Sequence, residues 1–471
     1  MSVASADLPT STRRPSTGEI AAPSAIVAVF VILYLSPTSA VSALGVAALI
    51  AIAAWRPSLA VATVPATLAI INVMVQVGHL EFSPTEILLV ATLAGVGTRG
   101  AVVLARERLE PLVPGVRGLV DLARTGIGPV SLALVAVGTL SLFTVADPTY
   151  RHESLRWYRW VILEPVAFTF LARWYLEHRR ERLVSAALYV AAASAASLWA
   201  LIALAHGGGL AVQGVVRISG TYPQPNALAL YLERPIPFVV AMGLAFRRRL
   251  RWEWLVAAAV CGAALLLTFS RGAWIGAGLA VLVVLWLGGR RRLATGFAAL
   301  EAAAGLGLAL VDGRRVLNLF HGGSGSLRID IWSSAIAMIR DHAVFGVGLD
   351  QFLYQYAPRY VRPEAWSERF TSHPHDIVLD VWLSLGIMGL IVAAFTVAVA
   401  IVQTRRAIAL HHRLALAAAG SLLAGGIHGL VDNGYFLPDL ALALWFFMVI
   451  IDLESRKPPE LAAAIADDEG G

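Results

Sequence analysis

Residues 268–292 read TFSRGAWIGAGLAVLVVLWLGGRRR. An apolar run opens on one arginine, Arg271, and closes on a cluster, Arg290, Arg291 and Arg292. A helix needs roughly 20 apolar residues to cross a hydrocarbon layer of ~30 Å, so the stretch reads as a membrane span. Clustered arginines stay on the cytoplasmic side. The cluster therefore faces inward and Arg271 outward. The same sorting repeats along the chain. Arg56, the stretch Arg99 to Arg124, Arg179-Arg180-Arg182, Arg247 to Arg251, Arg405-Arg406 and Arg456-Lys457 fall on alternate gaps between apolar runs.

Composition agrees with this reading. Of 471 residues, 58% are hydrophobic and 14% charged, too apolar for a soluble enzyme. The net charge of +6 is nearly all arginine on inner loops, which suits anionic lipid headgroups and not nucleic acid. The single cysteine, Cys261, lies inside an apolar run, so neither a disulfide framework nor a cysteine-rich metal site is expected. The expected fold is all-α and integral to the membrane, a polytopic bundle of about twelve to fourteen spans. Its expected parts are a cytoplasmic tail (1–22), a transmembrane bundle (23–311), a large extracytoplasmic loop (312–374), C-terminal spans (375–453) and a second cytoplasmic tail (454–471).

Two stretches carry their own patterns. Arg99 to Arg124 mixes arginine with leucine and valine at helical spacing, which predicts an interfacial helix lying on the membrane. The long loop carries Ile329, Ile331, Trp332, Ile336 and Ile339 at helical spacing, then Phe352, Tyr354, Tyr356 and Tyr360. That aromatic content is too high for disorder and predicts a small helical cap.

Three outward arginines break the charge sorting: Arg217, Arg271 and Arg328. A guanidinium keeps its charge and offers a planar fork of donors matched to phosphate oxygens. Together the three would suit a polyanionic group, whereas singly each could cap a helix or hold a lipid headgroup. The run Ser372-His373-Pro374-His375-Asp376 opens the next span, with Ser372 as the expected N-cap. A helix N-terminus and nearby arginines both disfavour imidazolium, so His375 is a general-base candidate. Glu164, Glu233 beside Arg234, Glu301 and Asp380 are carboxylates inside spans, where charge is costly and usually faces a partner or a cavity. Asp432 and Asn433 are weaker candidates of the same kind. Gly346-Val347-Gly348 lacks the full dinucleotide fingerprint. His373 and His375 have no neighbouring acid at ligand spacing, so no metal or other cofactor is expected.

From Arg217 to Gly389 the sequence resembles the O-antigen ligase/polymerase superfamily of polytopic membrane glycosyltransferases. The matching pieces are Arg217-x-x-Gly220-Thr221-Tyr222-x-x-x-Asn226, Thr268-Phe269-Ser270-Arg271-Gly272-Ala273-Trp274 and Arg328-x-x-x-Trp332-x-x-Ala335. They continue with Gly346-x-Gly348-x-x-x-Phe352, His373-x-His375-Asp376-x-x-Leu379 and Gly386-x-x-Gly389. The family commonly has Asn at Asp376, Glu at Ser384 and often Pro at Ala343, so the acceptor is the part left open. The resemblance implies a GT-C-like, metal-independent, inverting transfer at the outer face of the bacterial plasma membrane. Its donor would be an undecaprenyl-diphosphate-linked glycan, and its acceptor a hydroxyl on a glycan, a lipid or a protein. Arg271, Arg328 and His375 would be catalytic. Arg217, Asn226, Glu233, Arg234, Asp376 and Asp380 would contact substrate, and the loop tyrosines could stack on sugar rings. The competing readings are a transporter or flippase for lipid-linked glycans and an oligosaccharyltransferase acting on protein hydroxyls.

Overall fold

The computed structural model describes residues 17–35, 39–77, 80–107, 111–212, 214–245, 248–311 and 324–456. Residues 1–16 of the first tail, 457–471 of the second, and the start of the long loop (312–323) lie outside the described residues. So do Arg13, Arg14, Arg247 and Lys457.

The chain is a helical bundle. It opens with α1 (Thr17–Leu35), α2 (Ser39–Trp55) and α3 (Pro57–Thr63), the last continued by a 3-10 segment over Val64–Ile70. Two three-residue strands, β1 (Val75–Val77) and β2 (Leu80–Phe82), form an antiparallel hairpin with Val75 opposite Phe82. Then come α4 (Pro84–Arg106), α5 (Leu112–Arg124), α6 (Gly128–Phe143) and α7 (Arg151–Tyr158). A π turn over Arg159–Leu163 passes into α8 (Glu164–Tyr175) and α9 (Arg179–Ala205). A second antiparallel hairpin joins β3 (Leu210–Val212) to β4 (Val215–Arg217). Five helices follow: α10 (Pro225–Leu232), α11 (Pro235–Ala245), α12 (Arg248–Leu267), α13 (Arg271–Leu287) and α14 (Arg291–Val311). The cap holds α15 (Ser324–Asp341) and α16 (Phe352–Gln355), and α17 (Ile377–Ala409), α18 (Arg413–Gly429) and α19 (Pro438–Glu454) close the bundle.

Among the described residues, α4, α9, α10 with α11, and α17 are long and apolar enough to cross a membrane. The number rises to six if the bent pairs α2–α3 and α5–α6 each make one span. The protein is an all-α polytopic membrane protein. The larger number inferred from apolar runs also draws on shorter helices, since α13, α18 and α19 have 17 residues each, about 25 Å at 1.5 Å per residue. Helix α19 is apolar on every side and stands in the middle of the core, as such helices must. Its Phe446 and Phe447 meet the ring of Tyr189 from α9 with centroids 5.6 Å apart.

The expected interfacial helix is shorter than the stretch that suggested it. Arg99 and Arg106 belong to α4, and only α5 leaves the bundle. It lies at 80° to α6, buries no residue, and exposes Leu112, Val113, Val116 and Leu119.

The cap is helical where it is described, and it has a small core of its own: Ile331, Ala335, Met338 and Ile339 against Val347, Phe352, Tyr356 and Leu383. Ile329 and Ile336, expected on the same face, are exposed instead. The tyrosines differ in burial, with Tyr356 in the core and Tyr354 and Tyr360 half-buried. Tyr354 stacks on Tyr150 at 3.7 Å, Tyr356 is fully buried, and the Tyr360 hydroxyl donates to Asp341 over 2.7 Å.

What seats the cap is backbone. Helix α17 breaks at Gly386, where φ is 67°. The break frees carbonyl and amide groups that the loop over 344–348 takes up. Val347 and Gly348 donate to the Leu383 carbonyl at 2.6 and 3.2 Å, and Ile387 donates to Val344 at 3.1 Å. Gly346 also has positive φ, at 70°. A Cβ at Gly346 would overlap the Leu383 carbonyl, and one at Gly386 the Val344 carbonyl. The Gly-x-Gly motif is thus a joint between cap and span. Replacing Gly386 by Ala adds both left-handed strain and a main-chain clash. Gly386→Ala should lower the melting temperature of the detergent-purified protein by several degrees, while Gly262→Ala in α12, where a Cβ meets nothing within 4 Å, costs less.

Asp350 supplies a pH signature for the same region. It sits at φ 56° just past the joint. Burial first, and then the carboxylate of Glu153, push its carboxyl from 3.8 up to about 6, against the charge of Arg156. The folded state therefore prefers the protonated form. Its stability declines as pH rises from the ordinary value through about 6 and is lowest above that. Asp350→Asn, which tolerates the same backbone conformation, should gain a thermal-stability advantage that grows between pH 4 and pH 6 and then levels off.

Candidate active site

The site is assembled at one end of the bundle, where α12, α17 and α18 finish or begin. The β3–β4 hairpin docks on the end of α12, with Ile218 donating to the Leu267 carbonyl at 3.2 Å. That places Arg217 so that its Nε donates to the Thr268 carbonyl at 2.5 Å, and its Nη2 to Asn226 Oδ1 at 2.6 Å. Asn226 therefore holds Arg217. Three residues after Thr268, Arg271 opens α13. Burial first, and then the like charge of Arg271, press the Arg217 guanidinium below its ordinary value. Arg271 in turn faces the positive charge of Arg328. Arg217, Arg271 and Arg328 thus form a run of like charges, which an anion would relieve.

Arg328 and Trp332 are four apart on one face of α15. Arg328 donates to Asp432 Oδ2 at 3.3 Å, and the Trp332 indole donates to the His375 carbonyl at 3.3 Å. His375 itself precedes the helix. The N-cap of α17 is Asp376, whose Oδ1 accepts from Val378 and Leu379 at 2.9 Å each. Ser372, expected in that place, instead reaches His373 Nδ1 at 3.1 Å. The backbone at His375 has φ 55°, and this left-handed residue turns the imidazole away from the helix axis.

The imidazole points at Asp432, in the loop between α18 and α19. His375 Nδ1 lies 3.3 Å from Asp432 Oδ1, and its Nε2 lies 3.3 Å from the Thr371 hydroxyl. His373 Nε2 is 3.5 Å from the same Oδ1, with the two rings edge-on at 4.3 Å. On the other carboxylate oxygen, His428 Nε2 stands 3.8 Å away. His428 Nδ1 then meets Glu233 Oε2 at 2.6 Å, and Glu233 Oε1 accepts from Arg234 at 3.1 Å. A polar relay therefore runs from the buried Glu233–Arg234 pair through His428 and Asp432 to His375. Burial works to raise the Asp432 carboxyl, but the two imidazoles of His373 and His375 outweigh it and hold it well below the ordinary range. It is a carboxylate at any physiological pH.

Each expected site residue now has a place. Arg328, His375, Glu233 and Arg234 are linked through Asp432 and His428, and Arg217 with Asn226 is related to them only through the charge of Arg271. Asp376 is at hand, but its carboxylate is engaged as a helix cap. Asp380 is buried one turn further along α17, with Ser384 Oγ 3.5 Å from its Oδ1. Glu164 lies elsewhere, sharing Arg159 with Glu86, and Glu301 packs against Gly278 of α13. Asp432 was undervalued in the sequence and His428 was missed. Their spacing of four at the end of a span was the available signal. His373, His375 and Asp432 also bring one ligand atom each to within 4.8 Å of one another, a set that could hold a divalent cation. Local spacing does not show this set, because Asp432 is distant in sequence from the two histidines.

Residues 255–394 match the family described as O-antigen ligase. The match covers the segment that holds Arg271, Arg328, His373 and His375. Arg217 precedes that segment, and His428 and Asp432 follow it. A comparison with curated proteins gives no match.

Gly272 lies against this relay, since a Cβ there would overlap the His428 ring. Gly272→Ala should push His428 off Glu233 and Asp432. The expected outcome is loss of most activity with the circular-dichroism spectrum of the helices unchanged.

Proposed function

We propose that the protein is a glycosyltransferase of the O-antigen ligase or polymerase type. It would move a glycan from an undecaprenyl-diphosphate-linked donor to an acceptor hydroxyl at the outer face of the plasma membrane. The observation that carries this reading is the meeting of three like-charged guanidiniums with an Asp-oriented imidazole at one end of the bundle. The domain match supports the reaction class.

In this reading Arg217, Arg271 and Arg328 grip the diphosphate and stabilise the charge it gains on leaving. Asn226 and the Thr268 carbonyl fix the fork of Arg217. With Asp432 accepting from His375 Nδ1, the lone pair is on Nε2, the nitrogen that faces the Thr371 hydroxyl. An acceptor hydroxyl in that direction gives its proton to Nε2 as its oxygen bonds to the anomeric carbon. The bond from that carbon to the diphosphate oxygen breaks in the same step. Undecaprenyl diphosphate departs, and the single displacement inverts the anomeric centre. The relay behind Asp432 holds the imidazolium that forms, as in a Ser-His-Asp triad. The chemistry needs no nucleotide and no metal, and the donor's lipid tail keeps the substrate in the membrane plane.

Purified protein with a lipid-linked oligosaccharide donor tests this directly. Arg271→Ala and His375→Ala should each lower transfer about 100-fold or more, the usual scale for losing a charge-stabilising donor or a general base. Asp376→Asn, which keeps a capping oxygen, should stay within about three-fold. Chelator should leave the rate unchanged and added zinc should lower it, because zinc bound at His373, His375 and Asp432 would occupy the base. Full activity of both the Arg271 and His375 variants would remove the reading.

A further inference from the structure

The opposite end of the bundle holds a recess that the transfer reaction does not use. Its walls are the ends of α17 and α19 and the turn between α5 and α6, and its volume is about 690 Å³. Gln403, Arg406, Asp452, Arg456, Thr125 and Gly126 line it. Asp452 is already neutralised, with its Oδ2 accepting from Arg173 at 2.9 Å and Arg456 at 2.8 Å, and its Oδ1 from Gln403 at 2.8 Å. Arg406 has no acidic partner among the described residues and is exposed. Gln403 is 6% exposed, and its Oε1 has no hydrogen-bond donor among the described residues. The recess thus offers a cation for a phosphate and a buried acceptor for a hydroxyl.

Its setting identifies the source of that phosphate. Helix α5 ends at the rim, lies at 80° to α6, buries no residue, and leaves Leu112, Val113, Val116 and Leu119 exposed. A helix so placed rests in the headgroup layer with its apolar side among acyl chains. A phosphate in the recess would sit at headgroup depth beside it.

We propose that this recess binds the headgroup of an anionic glycerophospholipid with a free polyol, of the phosphatidylglycerol kind. The phosphodiester pairs with Arg406 and Arg456, a headgroup hydroxyl donates to Gln403 Oε1, and the acyl chains lie along α5. The assignment is independent of the chemistry at the histidine end.

Purified protein in phosphatidylcholine nanodiscs, titrated with palmitoyl-oleoyl phosphatidylglycerol and read by native mass spectrometry, tests it. Arg406→Gln should weaken phosphatidylglycerol retention about five-fold, the effect of one arginine near a lipid surface. Arg405→Gln, the same charge change one residue outside the recess, should stay within about two-fold. Equal losses in the two variants would mean a diffuse charge effect and overturn the site, as would no loss in either. Thermal protection by inorganic phosphate equal to that by phosphatidylglycerol would overturn the lipid assignment. Thermal protection by the lipid alone, lost in Arg406→Gln, would support it.

Discussion

A single buried carboxylate organises the histidine end of this protein. Asp432 is 4% exposed, yet it takes contacts from Arg328, His375, His373 and His428. A carboxylate removed from water is costly unless donors surround it, and removing one partner of such a set strands the others. Three segments distant in the chain therefore have to arrive together: the cap helix, the start of α17, and the end of α18 with the loop that carries Asp432. The arginines on their own would repel one another. The carboxylate gives Arg328 a partner, while Arg217 is held by neutral acceptors, the Thr268 carbonyl and Asn226 Oδ1. Stability and the capacity to take an anion are set by the same groups.

A similar economy governs the other end. Arg173 with Asp452, and Arg182 with Glu454, bind α8 and α9 to α19 inside the protein. Buried pairs of this kind add less net stability than their geometry suggests, but they fix which helices are neighbours. The bundle is thus defined at both ends by ionic contacts and between them by packing around α19.

Much of this was legible in the sequence because the membrane imposes a simple rule on charge. Arg217, Arg271 and Arg328 stood out by breaking it, and the structure gathers them at one end. The helical character of the cap was readable from its aromatics and isoleucines, though Ile329 and Ile336 turned out exposed. What could not be read were pairings between distant segments. Asp432 lies far along the chain from Arg328 and His375, and nothing in local spacing announces that they meet. His428 looks like one more small-helix residue until its contact with Glu233 is seen. Tyr356 shows the same limit, since a ring turned to solvent and a ring buried against its own chain have the same sequence. Ser372 and Asp376 are both good caps, and only the backbone turn at His375 decides between them.

The joint between Gly346 and Gly386 has an evolutionary corollary. Because it is sewn through main-chain atoms, the side chains of Val344 and Phe345, both largely exposed, contribute nothing to it and are free to drift. The two glycines have no such latitude, and neither can be exchanged while its counterpart's backbone stays where it is. Variation around the cap should therefore accumulate in what its surface presents and spare the angle at which it sits, so that related chains could diversify their ligands on an unchanged frame.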